Sequence, residues 1–178
     1  SLTVKFPRHP FGWKILAAAL GKAGRLLDAV DANRTAIALN PNDAEVHNNQ
    51  GNKLRELGRL RESEICLNKA VALKPDFAEA YNNLGKSYTT LGQLKIAIDC
   101  YEKAINIRSD FDEAYKNLGF NLLTIGQIEY ASMCFEKAIE INPDYAEAYK
   151  SLGTAYKKRK QFDKAMSMYE LALSLIHI

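Results

Sequence analysis

The fold can be inferred from residues 78–111, AEAYNNLGKSYTTLGQLKIAIDCYEKAINIRSDF. When this stretch is moved by 34 residues in either direction, it meets a near copy of itself. Gly85 then aligns with Gly51, Gly119 and Gly153, and Ala104 aligns with Ala36, Ala70, Ala138 and Ala172. A fixed period in this range is typical of repeat architectures, in which each copy is one small helical or strand unit.

Each copy is predicted to contain two antiparallel helices joined by a short loop. In the central copy, the first helix has apolar residues at helical spacing at Tyr81, Leu84, Tyr88 and Leu91. Gly92 is expected to end it in a left-handed conformation. The second helix carries an apolar stripe from Leu94 to Ile107. Capping boxes are predicted at the helix starts, formed by Asn42 with Glu45, Asp76 with Glu79, Asp110 with Glu113, and Asp144 with Glu147.

The period divides the chain into five successive units. We predict repeats at 10–43, 44–77, 78–111, 112–145 and 146–178, preceded by residues 1–9 as the tail of a truncated upstream repeat. At the other end, residues 173–178 (LSLIHI) resemble the translation of a transposon end used in preparing sequencing libraries. We therefore expect the chain to be a fragment, with a C-terminal segment that is foreign to the protein.

Composition and charge narrow the classes of function. The net charge of +3 gives no argument for nucleic acid or a membrane surface, and no apolar run is long enough to span a bilayer. His9, His47 and His177 lack metal-ligand spacing, and no nucleophile motif or phosphate-binding loop is present. The sequence thus predicts no catalytic residues, no metal and no cofactor.

Three cysteines, Cys66, Cys100 and Cys134, are also spaced by 34 residues. Equivalent positions of stacked repeats lie roughly one helix-packing distance apart, which is too far for a disulfide. Three reduced, structural thiols are therefore expected, and these fit a cytoplasmic protein.

The repeated pattern resembles the tetratricopeptide repeat family. The resemblance is carried by Tyr81, Leu84, Gly85, Tyr88, Ala97, Tyr101 and Ala104, and again at 34-residue spacing in the later units. Departures include Asn33 where an aromatic is usual, and His47 and Gln50 in place of an aromatic and a leucine. The resemblance implies an all-α fold, a right-handed superhelical solenoid of antiparallel helix pairs, with the first helices lining a concave groove.

Polar side chains on the first helices are the candidate site. By the resemblance, these residues point into the groove and bind peptide: Asn48, Asn49, Asn52, Asn82, Asn83, Lys86, Lys116, Asn117, Lys150 and Ser151. An amide offers both donors and an acceptor, so a row of them suits the backbone of an extended peptide. The row resembles the asparagine ladder of O-linked N-acetylglucosamine transferases. Hydrogen bonds between neighbouring repeats are the alternative role of these asparagines.

The expected function is a protein-interaction scaffold with a protein or peptide partner. An alternative is that the chain is the substrate-recognition arm of a larger enzyme. Residues 6–13 (FPRHPFGW) resemble the start of repeat arrays in bacterial proteins that carry a glycosyltransferase or sulfotransferase domain downstream. Self-association through uncapped ends is a third possibility, since Leu171, Leu173 and Leu175 are expected to face water. Chaperone-carboxylate binding is disfavoured by glutamates in the first groove column. The basic run of Lys157, Lys158, Arg159 and Lys160 is interpreted as solvated cations that complement the end of a helix.

Overall fold

The computed structural model describes residues 9–176, which form ten α-helices and no strand. The first-helix series comprises α1 (Pro10–Lys22), α3 (Ala44–Glu56), α5 (Ala78–Thr90), α7 (Asp112–Thr124) and α9 (Ala146–Lys158). The second-helix series comprises α2 (Leu26–Leu39), α4 (Leu60–Leu73), α6 (Leu94–Ile107), α8 (Ile128–Ile141) and α10 (Phe162–Ile176). The all-α repeat fold is confirmed. The predicted upstream tail lies almost entirely outside the described residues, as does the end of the LSLIHI segment.

The chain divides into two compact units, residues 1–92 and 93–178. In the first unit, α1 packs on α2 and α3 on α4, while α2 and α4 also contact the helix that follows each of them. In the second unit, α7 packs on α8 and α9 on α10, while α6 and α8 also contact the helix that follows each of them. First helices of neighbouring repeats also touch, which places α1, α3 and α5 side by side in the first unit, and α7 beside α9 in the second.

Small residues allow the helices of a repeat to approach closely. A Cβ atom added at Gly51 would lie 2.5 Å from Cγ of Leu67, and one at Gly119 would lie 2.6 Å from Cε1 of Phe135. The repeated alanines at 36, 70, 104 and 138 are fully buried. The columns of small residues thus mark close helix contacts, as predicted from the sequence.

The turn after each first helix requires a left-handed residue. Gly24, Gly58 and Gly92 have φ of 74° and Gly126 has φ of 86°. The same place in the last repeat is taken by Lys160, with φ of 60°. Glycine adopts this conformation without a steric penalty, whereas an L-residue with a side chain does not.

The predicted capping boxes are wrong. The N-cap residues of α5, α7 and α9 are Phe77, Phe111 and Tyr145, and none makes a side-chain capping hydrogen bond. Of the four helices with a predicted capping box, α3 alone has a carboxylate N-cap, and that residue is Asp43 rather than Asn42. Phe77 is buried against Ala70 and Ala80 where α4 meets α5. At these three helix starts an aromatic residue thus occupies the N-cap position. The aspartate before it stays in the preceding turn.

Candidate functional site

The ten predicted peptide-binding residues lie on first helices, but the structure distributes them over several environments. Asn49, Asn52, Asn83 and Lys86 are partly exposed in the first unit, and Lys150 is exposed in the second. Asn48, Asn82 and Asn117 are buried. The sequence pattern therefore mixes residues that can reach a ligand with residues held inside the repeats.

In the first unit, an amide pair connects neighbouring first helices. Asn83 Nδ2 on α5 donates to Asn48 Oδ1 on α3 over 2.9 Å. This bond is the inter-repeat role that the sequence left open for such asparagines. It also orients Asn83, whose Oδ1 and second N–H are not used by this bond. Asn49, one residue after Asn48, is partly exposed on the same pair of helices.

Two other predicted residues of the first unit are bound up in local contacts. Asn52 donates to Glu56 over 3.0 Å and accepts from Arg55 over 2.8 Å. Asn82 is only 2 % exposed. In the second unit, Asn117 is buried, and its backbone carbonyl accepts a hydrogen bond from Asn121 Nδ2 over 2.9 Å. Asn82 and Asn117 are therefore held inside their repeats, whereas Asn52 is tied to neighbours on its own helix at a partly exposed position.

The lysines of the second unit behave differently from one another. Lys116 Nζ lies 3.2 Å from Glu147 Oε2 on the next first helix and 6.0 Å from the centre of the Tyr145 ring. Ser151 Oγ donates to the carbonyl of Glu147 over 2.8 Å. Lys150 has no ion pair within the described residues. Lys150 is therefore a free cation on the exposed face of α9.

The Lys116–Glu147 contact has a counterpart in the first unit. Lys14, the equivalent of Lys116, contacts Glu45 and lies 3.3 Å from Asp43 Oδ2. Burial lowers the pKa of Lys14, but the hydrogen bond to Glu45 and the charges of Asp43 and Glu45 outweigh it, so the pKa is raised. In both cases the lysine pairs with a glutamate 31 residues later. This repeated pair joins successive repeats, and the sequence pattern of groove residues did not reveal it.

The departures from the family pattern form buried polar positions in the first unit. Asn33 on α2 is buried, as are His47 and Gln50 on α3. His47 Nε2 lies 2.8 Å from the carbonyl oxygen of Pro41. Asn33 Oδ1, His47 Nδ1 and Gln50 Oε1 are buried without a hydrogen-bond partner in the described part of the chain. His47 is thus a packed residue held to the preceding turn.

The three cysteines are free thiols. Burial raises the pKa of Cys66, and it raises those of Cys100 and Cys134 to about 11. The protonated form therefore dominates at neutral pH, and thiolate chemistry is disfavoured. No group of His, Cys, Asp or Glu within residues 9–176 could hold a metal ion.

The end of the last repeat carries a mainly apolar cavity of about 580 Å³. Its lining includes Ala146, Glu147 and Lys150 from α9, and Tyr169 and Ala172 from α10. Leu171 and Leu173 are exposed, as expected, but Leu175 is partly buried. Leu173 and Ile176, which also line the cavity, belong to the segment that resembles a transposon end. In the described range, no helix combines the length and apolar character that crossing a membrane requires.

Family models identify the repeats. Models described as tetratricopeptide repeat match residues 78–111, residues 112–145, and residues 33–64 with 134–167. A further model described as TPR repeat matches residues 51–92. Together the matches extend from residue 33 to residue 167. The comparison with curated proteins gives no match.

Solved structures of similar fold agree with the family models. MamA is 27 % identical, with 90 % of this chain and 94 % of that chain covered and a TM-score of 0.79. YrrB, described as a TPR protein with an unusual peptide-binding site, is 21 % identical, with 97 % and 89 % covered and a TM-score of 0.73. PilF of Pseudomonas aeruginosa is 18 % identical, with 93 % and 75 % covered and a TM-score of 0.86.

Proposed function

Because this chain belongs to the tetratricopeptide repeat family, we propose that it is a non-catalytic scaffold that binds an extended segment of a partner protein. The binding surface is the exposed side of the first helices. The likeness to YrrB supports a peptide ligand, since that protein is described as having a peptide-binding site. The free thiols fit a reducing compartment, and we place the protein in the cytoplasm on that basis.

The observation that carries the proposal is the placement of two equivalent asparagines in the first unit. Asn49 and Asn83 stand at equivalent positions of α3 and α5, partly exposed on helices that contact one another. Their spacing along the chain is 34 residues, so their amides repeat with the helix pairs. The bond from Asn83 to Asn48 fixes one amide and leaves its carbonyl oxygen for a peptide N–H. Amides in this arrangement recognise peptide backbone and tolerate different side chains.

The remaining predicted residues take supporting or flanking roles in this proposal. Asn48 orients Asn83, and Asn52, Asn82 and Asn117 stabilise their helices. In the second unit, Lys150 contacts the ligand directly, with Ser151 beside it. Lys86 flanks Asn49 and Asn83 in the first unit, and Lys116 flanks Lys150 in the second.

The test is peptide selection followed by binding measurements with a double variant. Peptides selected on the wild-type chain are labelled, and their affinities for Asn49→Ala/Asn83→Ala are measured by fluorescence anisotropy. Loss of two hydrogen-bonding amides is expected to weaken binding by about tenfold or more, since each bond contributes about 0.5–1.5 kcal/mol. Asn117 is left unchanged because its burial would confuse loss of contact with loss of packing.

The matched control is Asn68→Ala/Asn106→Ala. These two asparagines are exposed on the second helices α4 and α6, so the same atoms are removed from the other helix series. The control is expected to bind the selected peptides as wild type does. Equal affinities for wild type and Asn49→Ala/Asn83→Ala would show that the first helices do not bind peptide through these amides.

Two other roles stay hypotheses beside the scaffold. An enzymatic parent protein would carry a glycosyltransferase or sulfotransferase domain, and the gene sequence beyond Ile178 decides this. Self-association through the end of α9 and α10 is favoured by the apolar cavity there. Light scattering over a concentration series, on the full chain and on a chain ending at Ala172, distinguishes a self-associating scaffold from a monomer and shows whether residues 173–178 are responsible for any association.

A further inference from the structure

The turn between α9 and α10 carries four consecutive cations, Lys157, Lys158, Arg159 and Lys160, which we call the basic turn. All four are exposed. Arg159 Nε lies 3.8 Å from Glu129 Oε1, a long contact to a largely exposed carboxylate. Lys157, Lys158 and Lys160 have no ion pair within the described residues. The basic turn is thus a concentration of unneutralised charge on a chain whose net charge is only +3.

The helix dipole accounts most directly for the first two of these cations. Lys157 and Lys158 lie in the last turn of α9, where cations favourably face the helix carbonyls. Lys53 and Arg55 do the same in α3. Arg159 is the C-cap residue and Lys160 lies beyond the helix. The dipole favours cations there as well, but it does not explain why this repeat alone carries them at these two positions.

Arg159 and Lys160 replace residues that the other repeats use for structure. The position of Arg159 is aliphatic in the other four repeats: Ala23, Leu57, Leu91 and Ile125. The position of Lys160 is glycine in all four: Gly24, Gly58, Gly92 and Gly126. The turn keeps its geometry, because Lys160 N–H still donates to the carbonyl of Lys157 over 3.0 Å. The last repeat therefore holds a lysine in a left-handed conformation that glycine adopts at lower cost.

An exposed cation held in a strained conformation suggests that stability is given up for binding. Phe162, at the start of α10 and two residues after the basic turn, adds an apolar side chain that is 60 % exposed. Lys164 Nζ lies 5.6 Å from the centre of the Tyr156 ring and adds a further cation near the turn. The nearby carboxylates are those of Glu129, Glu136 and Asp163, and Glu136 already accepts a hydrogen bond from Tyr156. The local balance stays positive.

We propose that the basic turn binds an acidic peptide segment, with aspartates or glutamates on its cations and an apolar side chain on Phe162. The inference rests on the proposed scaffold function and names the chemistry of one part of the partner. A short acidic peptide fits better than nucleic acid, because the cations occupy one turn and do not extend as a stripe along a phosphate backbone. The binding is electrostatic, so it weakens as salt rises.

The test restores the turn that the other repeats use. The variant Arg159→Leu/Lys160→Gly removes two cations and relieves the left-handed lysine. It is expected to unfold at a higher temperature than wild type and to bind a fluorescein-labelled glutamate-rich peptide containing one phenylalanine about three- to tenfold more weakly. A higher unfolding temperature excludes misfolding as the cause of weaker binding. The matched control, Lys69→Gln/Lys95→Gln, removes two exposed cations elsewhere and is expected to bind as wild type does.

Three outcomes would overturn the proposal. The first is unchanged peptide affinity in Arg159→Leu/Lys160→Gly, which would make the cations ordinary solvated residues. The second is an equal loss in the lysine control, which would show only an effect of net charge. The third is tighter binding of wild type to a labelled oligothymidylate than to the acidic peptide, which would indicate a nucleic-acid site. The result for Asn49→Ala/Asn83→Ala is independent of all three, so failure here and failure of the scaffold function can be told apart.

Discussion

At the scale of single residues, two glycines at equivalent positions differ in the freedom of their neighbours. A Cβ on Gly119 would lie 2.6 Å from Cε1 of Phe135, whose side chain is fully buried. A Cβ on Gly153 would lie 2.8 Å from Cε1 of Tyr169, whose ring is partly exposed. Only the second ring has room to move toward solvent.

We therefore expect Gly119→Ala to destabilise the fold by about 1–3 kcal/mol through overpacking. Gly153→Ala is expected to be near neutral, because a small ring shift is offset by the roughly 1 kcal/mol that alanine gains over glycine within a helix. Urea unfolding followed by circular dichroism measures both. Equal losses in the two variants would contradict the role assigned to ring mobility.

The candidate site shows where prediction from sequence stops at the residue scale. The pattern identified amides recurring on the first helices, and Asn49 and Asn83 are indeed partly exposed. Asn117, at the same position of the next repeat, is buried, and so are Asn48 and Asn82. Sequence spacing places a residue on a helix, but its exposure depends on neighbouring helices and on partners such as Asn48 for Asn83. The ion pairs of Lys14 and Lys116 with glutamates of the next repeat also depend on how neighbouring helices pack, so the sequence pattern did not predict them.

At the scale of helices, the sequence predicted the elements well and their N-terminal ends poorly. Apolar spacing and the glycine column located the helix pairs and the left-handed turns, because both depend on local backbone geometry. The N-caps depend on tertiary packing. Phe77 and Phe111 are buried, and polar caps at Asp76 and Asp110 lose to that burial. Lys74 and Arg108 then lie over these two rings, at 4.9 Å and 3.6 Å from the ring centres.

Helix α3 carries a second prediction through Gln50, which stands where the other repeats have leucine. Its Oε1 is buried without a hydrogen-bond partner among the described residues. A buried unpaired acceptor costs about 1–3 kcal/mol. Gln50→Leu is therefore expected to stabilise the chain and to raise its unfolding temperature by about 2–4 °C per kcal/mol gained.

Gln127→Leu is the control for this change. Gln127 is an exposed N-cap residue of α8 that makes no side-chain capping bond. The same chemical substitution without burial should leave the unfolding temperature nearly unchanged. An unfolding temperature for Gln50→Leu at or below that of wild type would mean that the amide is satisfied by water or needed for packing with α2.

At the scale of the whole molecule, stability is the sum of many contacts between neighbouring helices. The 34-residue period predicted this organisation, because each repeat has an apolar face that only the next helix can cover. Partly or fully buried titratable groups add a dependence on pH that the period does not show. The thiols of Cys100 and Cys134 are the clearest case, since burial raises their pKa values from 9.0 to about 11.

This shift predicts a loss of stability in alkaline solution. Between pH 9 and pH 11 the thiols keep their protons in the folded chain but lose them in the unfolded chain. The free energy of unfolding therefore falls as pH rises through this window, and the contribution is fully present below pH 9. We expect the fall between pH 8 and pH 10, measured by urea unfolding under reducing conditions, to be smaller in Cys100→Ala/Cys134→Ala than in wild type. Lysines and tyrosines titrate in wild type and in the double variant alike, so the difference between the slopes of the two proteins is due to the thiols. Cys66→Ala should keep most of the wild-type slope, and identical slopes for wild type and the double variant would contradict the assignment.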